Sequence, residues 1–176
     1  RQLSAVTIDD ERYEYSYNSD GLRTKAVFRD AETNEIKTIY HYFWENGKMT
    51  GYCVTDEDGI ISIILKIFFD NTGEQIGYEM YYPDNDAYIR FFFEKNLQGD
   101  ITGVYNEEGQ KLLTYCYDAW GNVSPVYSNG NASIMAQTFF AAVYTPITYR
   151  GYIYDIYTGL YYLQSRYYNP VYGRFL

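Results

Sequence analysis

Histidine is almost absent from this chain: its 176 residues contain one, His41. A single imidazole excludes zinc sites built on histidine pairs and weakens any reading as a Ser-His-Asp hydrolase. Cysteine is nearly as scarce. Two residues, Cys53 and Cys116, cannot define a disulfide framework, and neither has a catalytic histidine in its local sequence. They read as ordinary free thiols, with Cys116 pointing opposite to Tyr115 and Tyr117 on a strand. No apolar run approaches the roughly 20 residues that a membrane-crossing helix needs. Positive charge is the minority sign, 14 Lys and Arg against 23 Asp and Glu, for a net charge of -9. Such a chain repels a nucleic-acid backbone rather than binding it. No initiator methionine or secretory leader opens the sequence at Arg1, so it reads as a piece of a longer chain whose targeting information lies elsewhere.

What the chain has in excess is aromatic rings: 24 tyrosines and 10 phenylalanines. Its length suits one domain with a real core, and each buried ring removes on the order of 150–250 Å² from water. Aromatic packing therefore dominates the stability expected here.

Glycines lay out the backbone. Gly21, Gly47, Gly73 and Gly99 recur at one spacing of 26 residues (47−21, 73−47, 99−73), each ending a polar tetrapeptide: Asn18-Ser-Asp-Gly21, Trp44-Glu-Asn-Gly47, Asp70-Asn-Thr-Gly73 and Asn96-Leu-Gln-Gly99. Such turns need positive φ, which glycine adopts at little cost. Midway lie Ala31-Glu-Thr-Asn34, Asp56-Glu-Asp-Gly59 and Pro83-Asp-Asn-Asp86. A reversal about every 13 residues gives strands joined by short turns. Counting back from each glycine, Tyr13, Ile39, Leu65 and Phe91 share one position. Tyr15, His41, Ile67 and Phe93 share the next on the same face, followed by Tyr17, Phe43, Phe69 and Lys95. This alternation predicts one buried face, with Glu14, Ser16, Lys66, Glu94, Tyr40, Tyr42, Phe68 and Phe92 on the other. The rhythm shortens after Gly99, where Gly109 and Gly121 close two further turns. Residues 132–142, Ala-Ser-Ile-Met-Ala-Gln-Thr-Phe-Phe-Ala-Ala, hold helix formers without a breaker. A short helix capped by Ser133, with Ile134, Met135, Thr138 and Phe139 as its apolar face, competes there with a packed loop.

The last 28 residues are the densest in tyrosine. Tyr152 and Tyr154 alternate as in a strand, residues 155–159 turn the chain, and Leu160 to Tyr168 again suits a pleated surface. Asn169-Pro170 stops it, since proline cannot donate to a ladder. Arg150, Arg166 and Arg174 meet one acid, Asp155, in this stretch, and arginine planes stack well on tyrosine rings, so they are expected to cement a tyrosine layer.

Several blocks here resemble the segment that closes the core of rearrangement-hotspot (RHS) and YD-repeat proteins: Tyr149-Arg150-Gly151-Tyr152, Tyr154-Asp155, Thr158-Gly159-Leu160-Tyr161-Tyr162, Arg166-Tyr167-Tyr168-Asn169-Pro170 and Gly173-Arg174-Phe175-Leu176. Tyr15-Ser-Tyr17-Asn18 and Tyr115-Cys-Tyr117-Asp118 look like degenerate YD repeats, and Tyr117-Asp-Ala-Trp-Gly121-Asn resembles the stretch preceding the closing motif. Tyr144-Thr-Pro-Ile-Thr148 departs from the pattern, which more often has Asn before that proline and Phe then Arg after it.

The resemblance implies an all-β fold: YD-repeat β-hairpins stacked into a curved sheet or partial spiral or barrel shell, with at most one short helix near 132–142. It divides the chain into repeats over 1–127, a loop or short helix over 128–148 and a closing motif over 149–176. It also implies a secreted or cell-surface bacterial protein whose remaining shell and C-terminal toxin cargo are its partners. In RHS relatives the shell can cut its own chain by aspartate chemistry, and those aspartates lie beyond the closing motif, so no catalysis is expected from these residues. No cofactor is implied. The acidic turns Asp56-Glu-Asp58 and Asp84-Asn-Asp86 lack the distal glutamate of a calcium loop and read as solvated turn formers. Two alternatives stay open: a glycan- or cell-surface-binding module with an aromatic face, and part of an autoprotease completed downstream. The strand Tyr13-Glu-Tyr-Ser-Tyr17 is the candidate exposed edge, expected either to self-associate or to be buried under the chain's own N-terminal residues.

Overall fold

The turns set the architecture. Six of them repeat one five-residue device, Asx-x-x-Gly-x, headed by Asn18, Asp56, Asp70, Asn96, Asn106 and Asp118. In each the glycine N–H donates to the carbonyl of the heading residue. The heading residue's N–H in turn donates to the carbonyl just after the glycine, so two antiparallel strands leave the turn already paired. The heading side chain locks the loop: Asp70 Oδ1 accepts the N–H of Thr72 at 2.8 Å and of Glu74 at 2.9 Å. Asn does the same work as Asp, because only one acceptor oxygen is needed. At the fourth position the backbone is left-handed, with φ of 82° at Gly73 and 83° at Gly99.

A computed structural model of the chain describes residues 2–176. Eleven strands follow chain order in one sheet: β1 (Ala5–Ile8), β2 (Glu11–Tyr17), β3 (Arg23–Asp30), β4 (Ile36–Glu45), β5 (Lys48–Thr55), β6 (Ile61–Phe69), β7 (Gln75–Tyr82), β8 (Ala87–Lys95), β9 (Ile101–Tyr105), β10 (Lys111–Tyr117) and β11 (Val123–Tyr127). Helix α1 (Ala132–Tyr144) follows, and then a four-stranded sheet in chain order, β12 (Ile153–Asp155), β13 (Leu160–Tyr162), β14 (Tyr167–Asn169) and β15 (Arg174–Phe175). The all-β fold holds, and α1 replaces the competing loop.

The chain packs as two units. The first runs to Phe68 and takes in Tyr78–Ile89 and Gln164–Arg166. Its buried face carries Tyr15, Ala26, Tyr40 and Val54 in register, alongside Tyr42, Tyr52 and Leu65. In β4 this corrects the expected face. Ile39, His41 and Phe43 lie on the opposite side, where Phe43 is 48% exposed and Ile39 is buried against the partners Val27 and Thr55. The cause is the turn at Gly47. It is a two-residue hairpin, Asn46 at φ 50° and Gly47 at φ 75°, with Glu45 opposite Lys48. The five-residue turns instead pair the residue three before the glycine with the one after it, so counting back from Gly47 slips by one and exchanges the faces. His41 is half-buried 3.2 Å from Thr55, and burial together with nearby Lys25 pushes its pKa down.

The second unit comprises Phe69–Gly77, Arg90–Leu163 and Tyr167–Leu176, with Phe91, Ile101, Val104, Leu112, Leu113, Ile147 and Tyr161 at its centre. Asn131, not Ser133, caps α1, its side chain accepting the N–H of Ile134 at 3.1 Å. Asn131 is the better cap because its backbone is extended (φ -68°, ψ 174°), whereas Ser133 lies inside the helix. The helix buries Thr138 and Ala141; Met135 (60%) and Phe139 (63%) face outward, contrary to the expected apolar face. Leu160 to Tyr168 is two short strands rather than one, broken at Gln164 with φ 62°.

Candidate functional site

The chemistry of the second unit gathers where residues 148–176 meet two Asx turns. Asp100 is buried, and its Oδ1 accepts the backbone N–H of Arg150 at 2.9 Å while Oδ2 accepts from Asn96 Nδ2 at 2.7 Å. Beside it the N–H of Ile101 donates to Thr148 O at 3.1 Å, and Tyr117 OH donates to Ile101 O at 2.6 Å. At the second turn Asp118 Oδ1 accepts from Trp120 N at 2.8 Å and Asn122 N at 2.9 Å. Three groups then clasp that turn: Tyr161 OH to Gly121 O at 2.9 Å, Tyr168 OH to Trp120 O at 2.8 Å, and Asn122 Nδ2 to Pro170 O at 3.2 Å.

The closing segment presents these groups because its backbone is bent to do so. Arg150 (φ 53°) and Gly151 (φ 68°) are consecutive left-handed residues, closed by Tyr152 N–H to Tyr149 O at 2.9 Å. The bend sets Tyr149 between Tyr117 (5.7 Å) and Tyr161 (5.8 Å); Tyr161 also meets Tyr154 (4.9 Å) and Tyr168 (6.4 Å), and Tyr168 meets Phe175 (5.2 Å). Glycines make room for the rings. A Cβ on Gly121 would stand 2.7 Å from the Tyr149 ring, and one on Gly173 2.9 Å from Trp120. Burial pushes the Tyr115 phenol up to about 12, and those of Tyr117 and Tyr161 higher still. These hydroxyls are therefore neutral donors at physiological pH, suited to holding carbonyls rather than to nucleophilic attack.

Of the residues singled out from sequence, Tyr115, Tyr117, Asp118, Gly121, Arg150, Gly151, Tyr152, Asp155, Gly159, Tyr167, Tyr168, Pro170 and Gly173 fall in this unit, with Gly73 and Gly99 at its turns. Asp155 is buried and its carbonyl accepts the N–H of Gly159 at 2.8 Å. Gly21 and Gly47 belong to the first unit, as does the bend at 164–166, where Gln164 Nε2 donates to Gly47 O at 2.6 Å. Arg150, Arg166 and Arg174 are exposed, and Arg150 lies over the Tyr149 ring at 5.4 Å. The fully buried arginine is Arg23, which sequence reading passed over. Its guanidinium lies 4.4 Å from the Tyr42 ring centroid and 5.3 Å from that of Tyr15, and its carbonyl accepts Trp44 Nε1–H at 2.7 Å.

A second glycine series also went unread. Gly51, Gly77 and Gly103 repeat the same 26-residue spacing (77−51, 103−77). A Cβ on Gly51 would come 2.1 Å from Leu65 O, and one on Gly77 2.2 Å from Phe91 O. The signal was present as Gly-x-x-x-Gly after the turns at Gly47, Gly73 and Gly99. Among the described residues no group of three His, Cys, Asp or Glu side chains is arranged to hold a metal ion, and no helix is long and apolar enough to cross a membrane. Both cysteines are free, Cys53 buried and Cys116 exposed.

No family model matches the chain. It is 30% identical over 162 residues to the tRNA3(Ser)-specific nuclease WapA of Bacillus spizizenii, and 28% identical over 162 residues to the tRNA nuclease WapA of Bacillus subtilis. Each match covers 92% of this chain and 6% of the relative. Among solved structures, the Photorhabdus luminescens Tc holotoxin pore matches with a TM-score of 0.68 at 22% identity, over 99% of this chain and 8% of that one. The TcdB2–TccC3 complex matches with a TM-score of 0.68 at 21% identity, over 95% of this chain and 8% of that one. These likenesses support an RHS-type protein. They extend over almost the whole chain.

Proposed function

We propose that the chain is a wall segment of the β-shell of a secreted or cell-surface RHS-type polymorphic toxin, built to enclose or present a C-terminal toxin domain outside these residues. The observation that carries this reading is the clasp. Tyr117, Tyr161 and Tyr168 spend their hydroxyls on backbone carbonyls, and buried Asp100 spends one oxygen on the Arg150 amide. The most elaborate polar constellation in the second unit thus holds chain to chain and leaves no activated nucleophile. On this reading the closing motif spans 149–176 and its tyrosines, glycines and arginines act structurally. The nuclease activity named for the WapA relatives would belong to other parts of such proteins. Electron microscopy of the parent polypeptide tests it: this segment should appear in the wall of a closed shell around cargo. A segment standing free as a separate outer domain would contradict it.

One observation favours a second reading, glycan binding. Tyr81 and Tyr88 stack at 4.5 Å, Tyr88 is 53% exposed, and Tyr81 OH donates to Asp86 at 3.1 Å, the ring-and-carboxylate pairing that sugar rings stack on and bond to. A glycan array probed with the wild type and with Tyr88→Ala decides it, since wild-type binding that survives the substitution, or no binding, removes this reading.

A further inference from the structure

Tyr81 and Tyr88 lie on the neighbouring strands β7 and β8, within the first unit. Residues 83–86 join these strands in a short 3-10 turn that ends at Asp86, whose backbone is left-handed (φ 51°, ψ 42°). The Asp86 N–H closes the turn on Pro83 O at 3.5 Å. Across it the two tyrosine rings stack, with centroids 4.5 Å apart and planes 27° from parallel. Aromatic pairs span about 4.5–7 Å, so this one sits at the close limit, with its ring edges in van der Waals contact.

Tyr88 is 53% exposed and Tyr81 is half-buried, so a reagent in solution can reach the pair. Other close tyrosine pairs are shielded. Tyr154–Tyr161, at 4.9 Å, includes the fully buried Tyr161, and both members of Tyr162–Tyr167, at 5.1 Å, are buried. Asp86 supplies a third part, since its Oδ1 accepts the Tyr81 O–H at 3.1 Å. That hydrogen bond raises the Tyr81 phenol above its ordinary range. The ring is therefore protonated at physiological pH, with a carboxylate already in contact with its proton.

We propose that Tyr81 and Tyr88 form a site of oxidative cross-linking, joined ring to ring as dityrosine by a peroxidase-class oxidant, with Asp86 taking the Tyr81 proton as its electron leaves. Each phenol gives one electron to the oxidant and one proton to solvent, Tyr81 by way of Asp86. The unpaired spin of each phenoxyl reaches the ring carbons beside C–O, and a bond forms between one Cε of each ring. The hydrogen on each coupled carbon then moves to its own ring oxygen, which restores two phenols. Hydrogen peroxide accepts the two electrons and two protons and leaves as two waters. Radicals held in contact couple far faster than dilute chains meet, because fixed neighbours react at effective concentrations no solution reaches. The product is a covalent staple between β7 and β8. It depends on neither the shell reading nor the glycan reading.

The test treats the 176-residue chain, at micromolar concentration, with a haem peroxidase and limiting hydrogen peroxide. The exposed Cys116 is alkylated first, so that thiol oxidation does not compete. The expected product keeps the mass of a single chain less two hydrogen atoms, shows blue dityrosine fluorescence, and yields a peptide map linking Tyr81 to Tyr88. Tyr81→Phe and Tyr88→Phe keep a packed ring and remove one phenol; each abolishes that link at an unchanged circular dichroism spectrum. Asp86→Asn keeps the left-handed turn, which asparagine tolerates, and removes the base, slowing the cross-link by about tenfold. First-formed links that map to other tyrosines or run only between chains overturn the site, as does a fluorescence yield unchanged in both Phe variants. An Asp86→Asn chain that reacts at the wild-type rate overturns the role given to Asp86.

Discussion

Arg23 shows what a single residue can hide. In sequence it follows a polar turn and looks solvent-bound; in the fold it is buried between Tyr15 and Tyr42. Nothing local reveals this, because both rings come from other strands. Desolvated cation–π contacts are worth about 2 kcal/mol, and lysine lacks the planar face that stacks. Arg23→Ala and Arg23→Lys are both expected to lower the unfolding free energy by about that amount. Urea melts check it, and a Lys variant as stable as wild type would show that charge alone matters. The clasp tyrosines carry a second expectation. Their folded pKa lies above the unfolded value of about 10. The protonated form is thus favoured by folding, and that stability is full below about pH 10 and is lost as pH rises toward the folded values. For Tyr115, buried in the same unit beside the clasp tyrosine Tyr117, the loss runs up to about pH 12. Phenolate absorbance followed against unfolding should show a subset of rings ionising only as the fold opens; uniform titration near pH 10 would contradict the clasp.

Among the elements, the strand-and-turn alternation was legible because glycine and Asx residues mark each reversal directly. The face of β4 was not, because one two-residue hairpin at Gly47 among five-residue turns shifts the count by one, and glycine alone does not report turn length. The cap of α1 was misplaced for a related reason: Ser133 and Asn131 are both capping residues, and backbone geometry decides between them. Strand glycines separate cleanly from turn glycines. Gly59 is left-handed (φ 81°) with open space around its Cβ position, whereas Gly51 and Gly77 press on carbonyls of the facing strand. Gly59→Ala should cost about 1–2 kcal/mol, the left-handed penalty of an L residue. Gly51→Ala and Gly77→Ala should cost more, since two strands must separate to admit the methyl. Thermal melts rank the three, and equal midpoints would show that the strands give way freely.

At the scale of the molecule, the all-β fold class was legible in the periodic turns, and the solved likenesses share that fold. The clasp itself was not legible. Its bonds join residues about fifty positions apart, Asp100 to Arg150 and Asn122 to Pro170, and no local pattern encodes such pairs. On the proposed reading, these bonds hold the late turns of the second unit together. Limited proteolysis of the parent polypeptide, wild type against Tyr161→Phe combined with Asn122→Ala, tests that claim most directly. The two substitutions remove clasp bonds while leaving the backbone ladders in place. The account predicts that the region following the closing motif resists protease in the wild type and is cut in the variant; equal resistance, or equal cutting, would contradict it.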